Sequence, residues 1–448
     1  MQQVSTAAPA IFGADPFWVA IGVFGLTYLL VVTDRINRSI LALLGAGVMI
    51  VSGVLAQGEA IRGIDFNTIA LLTGMMMLVA IARRCGMFEY LAVWSAKAAR
   101  AEPWAILAML SVVTAVLSAL LDNVTTVLLV APVTLEIARY LESPPYPFLF
   151  AEVFASNVGG TATLIGDPPN IIIGSAAHLS FNDFVVNLGP VIVVILAGQL
   201  VAMHLMWGRK MDASPAARAR LMALDPRELI VDPPLMRFSL AVLAGVIVAF
   251  VLAEPLHLQP GTIALFGAAI LMLLHNIEHH RERELQTLRV TETFNEVDWI
   301  TIFFFLGLFV IVHGIDAAGV LDLAAKHLLS LTGGNPTTTA VAILWGSAIL
   351  SAIVDNIPFV AAMIPLIREL GPHLGGEQHI MPLWWALSLG ACLGGNGTLI
   401  GASANLALAG IAERSGVEFR FLTFMRYAFG LMLLSVAIAN VYLWLRFL

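Results

Sequence analysis

Charge is what this sequence has least of. Only 12% of its 448 residues are Asp, Glu, Lys or Arg, against 59% hydrophobic, and the mean hydropathy is +0.90. A chain of this kind cannot be wetted over most of its length, which excludes a soluble globular domain and places it in lipid. Nucleic acid is excluded as a partner, and the net charge of −7 says less than where the cations fall. There are two cysteines, Cys85 and Cys392, in unrelated contexts with no CxxC or His spacing beside them. Neither a disulfide framework nor a thiolate metal site is indicated, and no cofactor or metal is expected. The first sixteen residues lack the basic region of a cleaved signal, so the apolar run after them reads as a retained first span. No nucleophile with its base and no closed metal triad stands out, so an enzyme is not expected.

What is present is a repeat. Ile64 to Ala92 matches Val297 to Ala325 at a constant offset of 233, with Asp65, Thr68, Gly74 and Gly86 falling on Asp298, Thr301, Gly307 and Gly319. The offset persists from Leu121-Asp122-Asn123 to Val354-Asp355-Asn356 and becomes 235 from Thr163-Leu164-Ile165-Gly166 to Thr398-Leu399-Ile400-Gly401. An apolar chain written twice in this way is the mark of a secondary transporter whose binding site lies where the halves meet.

Apolar runs able to cross about 30 Å of hydrocarbon fall at 17–33, 39–56, 67–82, 147–177, 184–207, 237–253, 261–276, 299–314, 382–412 and 424–446. Two further runs, 103–140 and 338–370, are interrupted at the centre by Asp-Asn and read as re-entrant helical hairpins, because an acid and an amide at mid-depth need protein or water around them. On this parse nineteen Lys and Arg lie on one side and four on the other, which makes the first side cytoplasmic and puts both termini outside, in a cell inner (plasma) membrane. Each half then has five crossings, so the expected fold is an all-α polytopic membrane protein with an inverted-topology repeat: ten spans, two hairpins and two broken helices. Residues 1–207 form the first repeat, 208–236 a cytoplasmic linker and 237–448 the second. Segments 86–100 and 319–330 read as interfacial helices leading into the hairpins.

Four polar interruptions carry the chemistry. At the hairpin tips stand Asp122, Asn123, Thr125 and Thr126, and Asp355 and Asn356. At the helix breaks stand Asn157, Gly159, Gly160, Thr161, Thr163, Asp167 and Asn170, and Gly394, Gly395, Asn396, Thr398, Ser403 and Asn405. Broken helices present free carbonyls and amides that can hold a cation or a hydroxylated or anionic solute. Asp167 before Pro168-Pro169 also has the form of a helix N-cap, Ser403 is expected to cap the equivalent half-helix, and Asp122 and Asp355 could cap the second hairpin arms. Acids at membrane depth favour function over structure alone, so Asp122, Asp355 and Asp167 are the expected proton- or ion-coupling groups. Lesser readings are lipid or helix packing for Met75-Met76-Met77, water contact ahead of a proton-carrying role for His313 and Asp316, and snorkelling or pairing with Arg139 for Glu152. His275, His279 and His280 beside Arg281 and Arg283 read as a solvated loop cluster.

At these motifs the sequence resembles the ion transporter superfamily, within the group that contains arsenite permeases, D-type sodium/proton antiporters and the melanosomal P protein. Asp122-Asn-Val-Thr-Thr126 and Ser156-Asn-Val-Gly-Gly-Thr-Ala-Thr-Leu-Ile-Gly-Asp-Pro-Pro-Asn170 carry the likeness. It implies a scaffold part and a transport part, with a homodimer and a docked cytoplasmic ATPase as partners to consider beside membrane lipid. The superfamily's dicarboxylate carriers have Ser-Asn-Thr at both tips; here Asp122 and Asp355 take that place, and Pro358 follows Asn356. Two fixed carboxylates disfavour a dianion and suit a cation, a proton or a neutral hydroxylated solute. The resemblance therefore implies export of arsenite or antimonite in exchange for protons, with sodium/proton antiport or an anion channel as the alternatives.

Overall fold

A computed structural model describes residues 15–33, 35–277 and 282–448, so the first fourteen residues and His279, His280 and Arg281 lie outside the described residues. Every regular element among the described residues is helical. The first half runs α1 (Pro16–Val32), α2 (Arg38–Val51), α3 (Gln57–Arg62), α4 (Phe66–Arg83), α5 (Met87–Ala98), α6 (Pro103–Leu120), α7 (Asn123–Tyr140), α8 (Tyr146–Gly160), α9 (Pro168–Ala177) and α10 (Phe181–Met206). After α11 (Pro215–Ala223) come α12 (Pro233–Val251), α13 (Pro260–Ile277), α14 (Arg283–Asn295), α15 (Trp299–Ala317), α16 (Val320–Thr332), α17 (Pro336–Ser351), α18 (Asn356–Leu374), α19 (Glu377–Gly394), α20 (Ser403–Arg414) and α21 (Phe421–Arg446).

The repeat is visible in how the helices begin. Asp65 and Asp298 cap α4 and α15, accepting from the backbone N–H of Thr68 and Thr301. Glu102 and Asn335 cap α6 and α17, each followed by proline at the first helical position. Gly86 and Gly319 open α5 and α16 in the left-handed region, with φ of 81° and 74°. Gly86 is doubly constrained, since a Cβ there would lie 1.9 Å from the carbonyl oxygen of Leu229.

Among the described residues, seven helices, α4, α6, α10, α12, α13, α15 and α21, are long and apolar enough to cross a membrane alone. α6 is a hairpin arm, so ten crossings are reached by counting the shorter α1 and α2 and by joining α8 to α9 and α19 to α20 as broken spans. The span expected at 39–56 ends as helix at Val51, because Gly53 takes φ +80° and the chain turns back, Leu55 N–H donating to Met49 O.

Two kinds of packing follow. α4 lies on α13, and α15 on α2. Repeat-related glycines make these crossings close: a Cβ on Gly74 would sit 2.5 Å from the Ala264 backbone, and one on Gly307 2.5 Å from that of Ala42. α6 lies on α8 and α17 on α19, through Gly159 against Ala115 and Gly394 against Ala348. Within each half the hairpin arms therefore pack on the broken helices.

Candidate functional site

Each hairpin turns on an aspartate that caps its returning arm. Asp122 Oδ1 accepts from Thr125 N at 2.8 Å, and Asp355 Oδ1 from Ile357 N at 3.0 Å. The capped first residues, Asn123 and Asn356, are both 2% exposed and reach the same carboxylate. Asn123 Nδ2 donates to Asp167 Oδ1 at 3.2 Å, and Asn356 Nδ2 to Asp167 Oδ1 and Oδ2 at 3.4 Å. Asp167 occupies the N-cap position of α9, but its side chain makes no capping bond. The capping expected there is replaced by these two amides, one from each tip. Asn157 ties the two broken helices together, accepting from Asn123 and donating to Asn396 Oδ1 at 2.9 Å and Asn405 Oδ1 at 2.8 Å.

The break residues are largely spent on holding the breaks. Asn170 Nδ2 donates to the carbonyls of Thr161 and Thr163, at 3.1 and 2.9 Å; Asn405 Nδ2 donates to those of Gly395 and Thr398, both at 2.8 Å. Thr163 and Thr398 donate to Ala119 O and Ala352 O on the adjoining hairpin arms, and each accepts from the glycine three residues on, Gly166 or Gly401. Thr161 and Thr126 bond back to their own helices. Gly159, Gly160, Gly394 and Gly395 have no room for a Cβ and serve close backbone approach. The expectation that free break carbonyls face a solute is thus corrected: side-chain amides already fill them, which removes the cost of unpaired buried backbone. Asn123 Oδ1 and Asn396 Nδ2 are the buried tip and break atoms with no hydrogen-bond partner in the protein.

Below this cluster lies a group that sequence reasoning assigned to a loop. Arg38, at the start of α2, donates through Nη1 to Asp355 Oδ2 at 3.0 Å and Ser403 Oγ at 2.8 Å, and through Nη2 to Thr301 Oγ1 at 3.0 Å. Its guanidinium carbon lies 5.2 Å from the centre of the Phe304 ring, a cation–π distance. Ser403 was expected to cap α20; Ala402 holds that position, and Ser403 donates to Asp355 Oδ2 at 2.8 Å. A cavity of about 220 Å³ opens here, lined by Arg38, Met76, Asp122, Thr125, Pro168, Asp298 and Ser403. It opens toward the ends of α4 and α15 that carry Arg83 and Glu296, the basic face. Pro168 and Ile357, the residues immediately after Asp167 and Asn356, line it. A larger cavity of about 690 Å³ shares Arg83, Leu128 and Leu129 with it and continues outward between α5, α7 and the segment after α11.

Cys392 was read as uninvolved, yet its thiol lies 3.5 Å from Asn170 Oδ1, and Ser388 Oγ donates to the same oxygen at 2.6 Å. Glu152 does not meet Arg139, which pairs with Glu136 at 2.5 Å; Glu152 is 1% exposed. Met75 and Met77 are buried in helix packing, His313 rests on Gly63, and Asp316 is exposed. Among the described residues no group of His, Cys, Asp and Glu is arranged to hold a metal ion.

Two broken helices, two tips meeting at one buried carboxylate and a cavity leading to them from one face are the features of a membrane transporter. The comparisons with known proteins say the same. Residues 28–390 match the family described as Citrate transporter (CitMHS), and the chain belongs to that family. It is 43% identical over 433 residues to an uncharacterized transporter of Mycobacterium tuberculosis, covering 96% of this chain and 98% of that protein. It is 33% identical over 509 residues to the P protein of Homo sapiens, covering 95% of this chain but 59% of the P protein. The YdaH transporter of Alcanivorax borkumensis, whose structure was described as having an unusual topology, shares the fold at a TM-score of 0.60 over 96% of this chain and 98% of that one, with 13% identity.

Proposed function

We propose that this transporter exports a small neutral or cationic solute, arsenite or antimonite first among them, from the cytoplasm in exchange for protons. The observation that carries the reading is Asp167, a single buried acid receiving an amide from the tip of each hairpin. A proton or solute arriving there acts on both tips together, which is what alternating access with coupling requires. The charge balance supports the choice of solute. Asp122, Asp298 and Glu296 line the cavity with two guanidiniums, Arg38 and Arg83, each already paired with an acid, so a free polycarboxylate such as the citrate of the family's description meets repulsion, while an uncharged hydroxide does not. Sodium/proton exchange is the second reading, favoured by the side-chain oxygens of Asp122, Asn123 and Asp167 gathered at the first tip. The basic face is taken as cytoplasmic, in the plasma membrane, with both termini outside.

The test is flux into proteoliposomes under an imposed pH gradient, with arsenite, sodium and citrate supplied separately. Arsenite movement that dissipates the gradient without sodium supports the first reading, and sodium-dependent proton movement indifferent to arsenite replaces it with the second. Coupled citrate movement overturns the charge argument. In Asp167→Asn, which keeps the shape but cannot release a proton, gradient-driven flux should fall by about a hundredfold, the scale of losing a positioned acid or base; wild-type coupling in that variant removes Asp167 from the mechanism.

A further inference from the structure

One titratable group within the membrane-spanning body has no part in the site described above. Glu152 lies on α8, 1% exposed, and neither carboxyl oxygen has a hydrogen-bond partner in the protein. Thr134 of α7, its polar neighbour, is likewise 1% exposed with its hydroxyl oxygen unpaired. The elements packed on α8 supply no counter-charge. α6 carries no acidic or basic residue; on α7, Glu136 and Arg139 pair with each other at the surface. On α10, Asp183 is held by Ser180 and His204 stacks on Trp104; on α19, Cys392 faces Asn170; on α20, Glu413 and Arg414 stand in the exposed last turn. Nothing in these surroundings offsets the cost of burying an ionised carboxylate.

Two further observations link this carboxyl to the site. Ser156 is four residues on from Glu152 and on the same face of α8. Its hydroxyl donates to Asn123 O at 2.9 Å and lies 3.3 Å from Ser118 Oγ. Asn123 in turn donates to Asp167. A buried polar line therefore runs up the interface of α6, α7 and α8 from Glu152 to the shared acid, with about one helical turn, near 6 Å, between its first two members. The second half supplies the control. At the offset of 235 that relates Gly159 to Gly394, Glu152 corresponds to Leu387 and Ser156 to Ala391, both fully buried. The repeat folds without an acid at this place, so packing does not explain this one.

We infer that Glu152 is a proton-binding station of the first hairpin unit, lying between the basic face and Asp167, whose uptake and release of a proton is coupled to the state of that acid through the Ser156 and Asn123 hydrogen bonds that fix α8 to the hairpin tip. The inference rests on the proton-coupled reading above. Proteoliposomes with a pH-sensitive dye inside and arsenite as the probe solute test both. Absence of gradient-driven flux in the wild type overturns the function proposed above before any variant is read. With the wild type coupled, Glu152→Gln should lower gradient-driven accumulation by roughly tenfold or more, the size of an ordinary coupling between sites, while arsenite counterflow at equal pH falls by less than about threefold. Glu152→Asp should restore part of the coupling with a shifted pH profile. Equal coupling and an unchanged pH profile in Glu152→Gln overturn the inference. Should the variant not assemble, a lipid-soluble carbodiimide, which modifies protonated buried carboxyls, is applied to the wild type. Modification of Glu152 with parallel loss of coupling supports the station; modification with coupling intact, or no modification at any pH, overturns it.

Discussion

Arg38 shows how one residue can alter the meaning of a site. Without it, Asp355 would be a carboxylate at a hairpin tip with no counter-charge, held only by Ile357 and Ser403; with it, the tip of α18 and the start of α20 are tied to α2 and α15 by three hydrogen bonds from one guanidinium. Both partners are partly shielded, at 24% and 13% side-chain exposure, so the pair is worth more than a surface bridge. Arg38→Gln should lower stability in detergent by about 2 kcal/mol, the cost of removing hydrogen bonds to a charged group. Removing the other charge as well should return part of that loss, because the stranded carboxylate is gone. Thermal midpoints of Arg38→Gln, Asp355→Asn and the double variant measure this as a cycle, and strictly additive losses would show that the pair is not coupled. Sequence reading missed Arg38 for a physical reason. A basic residue at the start of a span is ordinarily a topology signal in a loop, and the repeat gives no help, since Leu271 stands at the related position. The repeat is equally silent at Asp167, related to Ala402 and found instead from its place at the break before Pro168-Pro169, and at Glu152, related to Leu387. What the two halves share proved to be framework: Thr163 and Thr398, Asn170 and Asn405 close the breaks. Charge that stands in one half alone is what distinguishes the two ends of the site.

At the scale of elements, the hairpins and broken helices were legible because their breakers are glycine, proline and Asp-Asn in long apolar runs, where no other reading satisfies the backbone. Where each break would find its hydrogen bonds was not legible, because a short amide and a hydroxyl in an apolar run do not announce their acceptors. Asn170 and Asn405 turn back on carbonyls of their own span, and Thr163 and Thr398 reach hairpin-arm carbonyls 44 and 46 residues away. The α6–α8 and α17–α19 contacts are the elements' weakest tolerance. An alanine at Gly159 would put its Cβ 2.2 Å from Ala115 O, and one at Gly394 2.4 Å from Ala348 O, against backbone that cannot step aside. Alanine gains about 1 kcal/mol in helix propensity over glycine, whereas overpacking costs about 1–3 kcal/mol, so the clash should win. Gly22 on α1 has nothing within 4 Å of an added Cβ, so there propensity should act alone. Thermal midpoints should therefore fall for Gly159→Ala and Gly394→Ala and hold or rise for Gly22→Ala. Equal behaviour at all three positions would mean that the helices separate more easily than their backbone contacts imply.

For the whole molecule, the two faces are not equivalent. From the basic face the cavity reaches Asp122, Thr125 and Ser403 beside the tips. From the other face a cavity of about 490 Å³ is lined by Asp65, Asn67, His178, Asp183 and Glu254 and includes no tip residue. Asp65 and Asp298 are repeat partners, yet Asp298 shares its cavity with a hairpin tip and Asp65 does not, so the structure is an asymmetric member of a pseudo-symmetric pair of states. On the function proposed above, inversion of the repeat would define the other state, in which the hairpins have moved, Arg38 has released Asp355 and the tip of α18 opens beside Asp65. Thr125→Cys reports on this directly, because Cys85 and Cys392 are both buried and leave a quiet background. A membrane-impermeant thiol reagent should modify Thr125→Cys from the basic face alone. Occupancy by a transported solute should slow modification by the fraction of molecules that it carries into the other state. Arg38→Gln, which removes the tie specific to this state, should slow it as well, even without solute. Reaction at equal rates from both sides would point to a continuous pore, and a rate indifferent to both solute and Arg38 would mean that the guanidinium holds no state-dependent contact.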